Sequence, residues 1–210
     1  MNKGLKISGL TVMYVGNLEE YQGIDLLVES FKLVLDKTDD ANLVIIGGQP
    51  SDIQKYEKKS RRLGIQENIL FLGPKPVEHL ARHLSQADIL VSPRVKGNNT
   101  PMKLYSYLHS GKPILATDLP THTQVLDNSI AVLTKASPEA FSEGMLLLIE
   151  DEALRSRLGK AGKKLVEEKY SYSVFRQKLN GLLNWLEKET KQERYVGASG
   201  SERHSRWIHK

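Results

Sequence analysis

Six short apolar runs punctuate the chain at residues 11–15, 43–46, 69–72, 89–91, 114–116 and 130–133. They are rich in Val, Ile and Leu, and none alternates strictly between apolar and polar positions. That is the pattern of strands covered on both faces. The stretches between them carry apolar residues at helical spacing: Leu27, Phe31, Val34 and Leu35 in the first, then Val77, Leu80 and Leu84 in a later one. Residues 51–63 form a charged segment with a thin apolar stripe. Regular succession of strand and helix predicts an α/β domain with a doubly wound, mostly parallel, six-stranded sheet and right-handed crossovers. Helices at about 138–149, 151–169 and 172–189 close it. After Thr190 the periodicity stops, and Val-Gly-Ala-Ser-Gly-Ser predicts a flexible basic tail over 190–210. Residues 1–189 are therefore expected to form one domain, without internal repeats.

Composition narrows the chemistry. The 210 residues suffice for a self-supporting core. The absence of cysteine excludes a disulfide scaffold, thiolate zinc sites and a cysteine nucleophile, and fits a reducing compartment. No apolar run reaches the length of about 18 residues that a membrane span needs. The opening Met-Asn-Lys-Gly-Leu-Lys-Ile-Ser-Gly lacks the apolar centre of a signal peptide. A cytoplasmic protein is expected. Of the net charge of +5, three units fall in 191–210. The remainder gives little ground for a nucleic-acid partner and leaves at most a peripheral membrane association.

In sheets of this kind ligands bind outside the carboxyl ends of the strands, so the loops there are the places to search. The first is Gly16-Asn17-Leu18-Glu19-Glu20-Tyr21-Gln22-Gly23. Its two glycines let backbone N–H groups approach an anion, though it lacks G-x-G-x-x-G spacing and a Walker lysine. Gly47-Gly48 and Gly73-Pro-Lys-Pro are explained equally well as turn chemistry. The loop after the fourth strand says more. It runs from Ser92 through Arg94, Lys96, Asn98 and Asn99 to Thr100, expected as a helix N-cap, and Pro101, expected at the first helical position. Lys103 then falls in the first turn, where a cation opposes the helix dipole. Together with Arg94 and Lys96 it suits an anion such as a phosphate; a solvated surface lysine is the plain alternative. His79 and His83 lie one turn apart without a third ligand, so no metal site is expected. Glu167 and Glu168 belong to a charged helix face, and Trp185 among leucines is expected to anchor packing. Gly-Lys-Ala-Gly-Lys-Lys at 159–164 follows no strand and is not a P-loop. No Ser/His/Asp set can be assembled, so catalytic residues stay unassigned.

From Tyr14-Val-Gly-Asn-Leu and Gln22-Gly-Ile-Asp-Leu-Leu, through Leu43-Val-Ile-Ile-Gly-Gly, Ile69-Leu-Phe-Leu-Gly and Ala87-Asp-Ile-Leu-Val-Ser-Pro, the chain resembles one family. That family is the family 4 (group 1) glycosyltransferases, and the resemblance is to their C-terminal domain. It is strongest at Thr100-Pro-Met-Lys-Leu-Tyr-Ser-Tyr-Leu and Gly111-Lys-Pro-Ile-Leu-Ala-Thr, and continues to Leu158-Gly-Lys-Ala-Gly and Tyr170-Ser-Tyr. It implies one Rossmann-like half of a GT-B enzyme, binding a nucleoside diphosphate sugar as donor. A retaining mechanism is implied, with no metal or other cofactor. The acceptor half, N-terminal or a separate chain, would be the partner, and without it the enzyme would be inactive. The final helix, with Phe175, Leu179, Leu182, Leu183 and Leu186 on one stripe, would pack against that half.

Carried onto this sequence, the donor site comprises Gly16, Asn17, Gln22, Asn98, Asn99, Thr100, Lys103 and Ser106. Four of these depart from the family pattern. Asn17 and Gln22 replace an Arg and a Lys on the donor diphosphate, and Asn98 and Ser106 replace the two carboxylates of E-x7-E. The alternative is therefore a non-catalytic module that binds a nucleotide or sugar phosphate on the same fold. An epimerase half would share that fold but finds no supporting carboxylate or histidine.

Overall fold

The structure, a computed structural model, describes residues 9–200, with side chains to residue 191. It divides into two compact units at Glu167/Glu168. In the first, six strands form one sheet: β1 (Leu10–Val15), β2 (Ala41–Ile46), β3 (Ile69–Gly73), β4 (Ile89–Ser92), β5 (Ile114–Thr117) and β6 (Val132–Thr134). All neighbours pair in parallel, in the order β3-β2-β1-β4-β5-β6. The order reverses between β1 and β4, which makes their carboxyl ends the switch point where such sheets bind ligands.

Both sheet faces are buried, which explains the unbroken apolar runs. Val12, Tyr14, Leu43, Ile45, Ile89, Val91 and Leu115 point to one side. There they meet α1 (Ile24–Leu35) and α6 (Pro138–Glu150), with Tyr56 of α2 (Pro50–Arg62) at the margin. Met13, Ile46, Leu90, Ile114 and Ala116 point to the other. That side is covered by α3 (Leu80–Ser85), α4 (Lys103–Ser110) and α7 (Glu152–Lys169). A one-turn helix, α5 (Pro120–Thr123), follows β5. Local signals set the later starts: Ser137 Oγ accepts the Ala140 N–H at 3.3 Å before α6, and Asp151 Oδ1 accepts the Leu154 N–H at 2.8 Å before α7.

Three boundaries differ from the sequence reading. The last strand begins at Val132; Ile130 and Ala131 are buried, but their N–H groups bond the Asp127 carbonyl in a turn. The final helix, α8 (Tyr172–Gly200), continues past residue 189. Of the expected tail, residues 201–210 lie outside the described residues. The start of α4 also shifts, as described below. Within the second unit, Phe175, Leu179, Leu182, Leu183 and Leu186 are exposed on α8. Trp185, expected as a packing anchor, is 55% exposed. No helix among the described residues is long and apolar enough to cross a membrane.

Helix α7 meets the turn after α4 backbone to backbone. A Cβ on Gly159 would lie 2.1 Å from the Gly111 carbonyl oxygen. In a free helix alanine is favoured over glycine by about 1 kcal/mol, so a loss on substitution isolates the contact. Gly159→Ala is expected to lower stability by about 1–3 kcal/mol in urea unfolding, the scale of overpacking.

Candidate functional site

Strand β1 ends at Val15, and Tyr14, one residue earlier, sends its side chain through the core toward the following loop. Its hydroxyl donates to the Asn17 carbonyl at 2.6 Å, which folds the loop back over the strand end. Burial raises the Tyr14 pKa well above the usual phenol value, so the hydroxyl stays a neutral donor. A 3-10 turn at Glu20–Gln22 follows, and Gly23 caps it and opens α1 with φ of 73°. No side chain fits at Gly23, because a Cβ would lie 1.9 Å from the Pro93 carbonyl oxygen. The Val95 N–H donates to the Tyr21 carbonyl at 3.0 Å. The loops after β1 and β4 are thus joined through their backbones.

Lys103 is the first residue of α4, and its side chain turns toward the sheet. Its Nζ donates to Gln22 Oε1 at 3.1 Å and sits 4.0 Å from the Tyr14 ring centroid. Gly16 leaves the room, since a Cβ there would lie 2.9 Å from Nζ and 2.8 Å from the Tyr14 hydroxyl. No ion pair found among the described residues involves Lys103. Burial, with a smaller contribution from the Arg94 charge, lowers its pKa from the ordinary 10.5 to about 7. The hydrogen-bond partner and the ring beside the amine are both neutral. The solvated surface lysine is excluded by this geometry.

Thr100 is not the N-cap of α4. Its Oγ1 donates to Gln124 Oε1 at 2.6 Å, the Leu104 N–H bonds the Pro101 carbonyl at 3.0 Å, and the helix starts two residues after Pro101. A tertiary partner for the threonine displaces the local cap. Arg94 is also reassigned. Only 5% exposed, it donates Nε to the Lys96 carbonyl at 2.9 Å, Nη1 to the Asn99 carbonyl at 2.7 Å and Nη2 to Asn99 Oδ1 at 3.1 Å. Its guanidinium closes its own loop and does not reach outward as an anion ligand. Lys96 is exposed.

The structure brings Gly16, Asn17, Gln22 and Lys103 to one edge of the sheet. Gln22 is 8% exposed, while Asn17 is exposed with Nδ2 at 3.4 Å from the Tyr21 hydroxyl. Asn98 is exposed, and Asn99 is held by Arg94. Ser106, one turn along α4 from Lys103, lines a cavity of about 400 Å3 between α3 and α4, with Val77, His109 and Ser110. His79 is exposed, and no group of three His, Cys, Asp or Glu side chains among the described residues could hold a metal.

Three participants escaped the sequence reading. Tyr14 and Tyr107 stand in the sequence only as members of the motifs at 14–18 and 100–108, with no role of their own. The Tyr107 hydroxyl accepts the Val15 N–H at 2.9 Å and pins α4 to the end of β1. His122, fully buried on α5, bonds Ser92 and Thr117 at the ends of β4 and β5. No spacing signals it, because its partners lie in other strands.

Comparison with known proteins agrees with the fold. The C-terminal domain of a glycosyl transferase group 1 family protein (LpcC) from Francisella tularensis superposes with a TM-score of 0.71 at 23% identity, covering 80% of this chain and 89% of that one. Anabaena Alr3699/HepE, in complex with UDP and glucose, superposes with a TM-score of 0.76 at 12% identity, covering 84% of this chain and 48% of that one. Both show the fold. In sequence, a phosphatidyl-myo-inositol mannosyltransferase of Mycobacterium leprae is 28% identical over 169 residues, 79% of this chain and 44% of that protein. The chain spans about half the length of the curated relatives it matches. The model of the family described as glycosyl transferases group 1 matches residues 3–165, and the chain belongs to that family.

Proposed function

We propose that this chain is the donor-binding half of a retaining glycosyltransferase, moving a hexose from a nucleoside diphosphate sugar to a hydroxyl acceptor held by another domain or chain. The observation that carries the reading is the Lys103 ammonium, set at the switch point of the sheet with Gln22 and Tyr14 as neutral neighbours. A diphosphate would supply the missing counter-charge. The exposed Asn17 and Asn98, with Ser106 at the α3–α4 cavity, offer uncharged donors and acceptors to sugar or ribose hydroxyls. The reading uses no cofactor or metal beyond the donor. That UDP and glucose are held by a protein of the same fold supports it.

A second reading, a module that binds a nucleotide or sugar phosphate without transfer, is favoured by Arg94, whose donors stay within its loop, and by the neutral Asn17 and Gln22. Calorimetry with UDP, GDP and ADP tests the donor reading, on which the isolated chain binds at least one of these nucleotides. Failure of all three at millimolar concentration removes the donor reading and leaves a module for a sugar phosphate. Sugar transfer by the chain alone removes the module and places the acceptor site within this chain.

Lys103→Met is expected to weaken that binding about tenfold to a hundredfold, the roughly 1.5–3 kcal/mol of a charge-assisted hydrogen bond. The melting temperature should stay level or rise slightly, because a partly desolvated charge is removed. Loss of stability at constant affinity would make the lysine structural.

The lowered pKa also sets a pH dependence. A bound diphosphate favours the ammonium, so binding above pH ~7 takes up a proton. Affinity for a nucleotide sugar, whose diphosphate diester does not titrate in this range, falls as pH rises from ~7 to ~8.5, approaching tenfold per unit where steepest. Below pH ~7 the lysine is charged in both states and affinity levels off. Calorimetry across this range is expected to show the slope in the native chain and its loss in Lys103→Met.

A further inference from the structure

The loop that leads into Lys103, residues 93–100, is held from beneath by a buried histidine on a different element. His122 Nδ1 lies 2.8 Å from the Thr117 carbonyl oxygen and 3.1 Å from Thr117 Oγ1, and its Nε2 lies 2.9 Å from Ser92 Oγ. A carbonyl only accepts, so Nδ1 carries the proton, and Nε2 accepts from the serine hydroxyl. The Thr117 hydroxyl is then free to donate to the Arg94 carbonyl, which lies 2.5 Å away. Among Ser92, His122 and Thr117, each side-chain donor has an acceptor only in that one arrangement. The same α5 segment reaches the far end of the loop, where Gln124 Oε1 accepts from Thr100 Oγ1. Between these two ties Arg94 closes the loop on Lys96 and Asn99.

We propose that His122 is a positioning residue of the donor site: as the neutral Nδ1–H tautomer it ties the ends of β4 and β5 together and, through Thr117, fixes the Arg94 carbonyl and with it the loop that delivers Lys103. It touches no ligand. Its role rests on the reading of Lys103 as the diphosphate group. A charged imidazolium would give Ser92 a second donor and add a third cation beside Arg94 and Lys103. Burial, together with those two charges, lowers the His122 pKa to about 4, against the opposing bond to Thr117. The histidine therefore stays neutral throughout the range in which Lys103 titrates.

The test uses the whole chain. Long-range 1H–15N spectra of the native protein are expected to show His122 as the Nδ1–H tautomer without titration from pH ~5.5 to ~8. The Nε2–H tautomer, or an imidazolium at pH ~6.5, overturns the proposal. His122→Asn places an amide N–H where Nδ1–H was, whereas His122→Gln places it at the Nε2 position. Asn should keep nucleotide affinity within about threefold of native. Gln should weaken it about tenfold and speed amide exchange at Val95 and residues 96–100 by a similar factor, with β1 and β2 unchanged. Equal behaviour of the two variants, or faster exchange spread evenly over the sheet, assigns His122 a merely structural role. If the native chain binds no nucleotide, the reading of the site fails, yet the tautomer and the loop exchange still decide whether His122 holds the loop.

Discussion

The Pro93 carbonyl lies against Gly23 with no room for a side chain between them, and much of the site follows from that contact. It sits where the strand order reverses, so it joins the loops of two strands that are neighbours in the sheet but far apart in sequence. With the Val95–Tyr21 hydrogen bond it seats the 3-10 turn that carries Gln22 beside the loop that runs into α4. Gln22 and Lys103, 81 positions apart, meet as a consequence. A glycine in left-handed conformation is the one residue type that satisfies both the sterics and the backbone geometry at that point.

The electrostatics of the edge are one-sided. Lys103 and Arg94 are both drawn inward, and the groups bonded to them are an amide side chain, backbone carbonyls and an asparagine. Arg94 gives three hydrogen bonds to its own loop and contributes structure as well as charge. Lys103 has one hydrogen bond and an aromatic face, which compensate burial only in part, so its pKa is lowered. Asn17 and Gln22 add no charge to this edge. Gln22 accepts the hydrogen bond that orients the Lys103 amine.

Around this edge the domain is conventional in its physics. A parallel sheet buried on both faces leaves little freedom in its core, and the helices close it by direct backbone approach, as Gly159 does on Gly111. Polar groups carried into the interior near the site, Ser92, Thr117 and His122, are linked to one another, so their burial leaves none of these three without a partner. The second unit contributes a long helix with an exposed apolar stripe, in a chain about half the length of its curated relatives.

The number and burial of the strands were legible in the sequence, because runs of Val, Ile and Leu without polar alternation admit few other solutions; their order in the sheet was not. The family and the helices between 24 and 169 were legible too, except the single turn α5 that follows β5. At Thr100 a distant partner overrules a local rule. Thr100 and Pro101 form a sound N-terminal signal, but Gln124 takes the threonine hydroxyl. Arg94 looked like an outward cation, and its loop folds back onto it. His122 carried no signal, since its hydrogen-bond partners lie on the ends of two strands and sequence spacing does not record them. The sequence alone thus determined which elements form and which loop carries the charge, because periodicity and turn chemistry act over a few residues. Only the tertiary structure decided which polar groups meet and in which protonation state, because that depends on burial and on contacts made across the sheet.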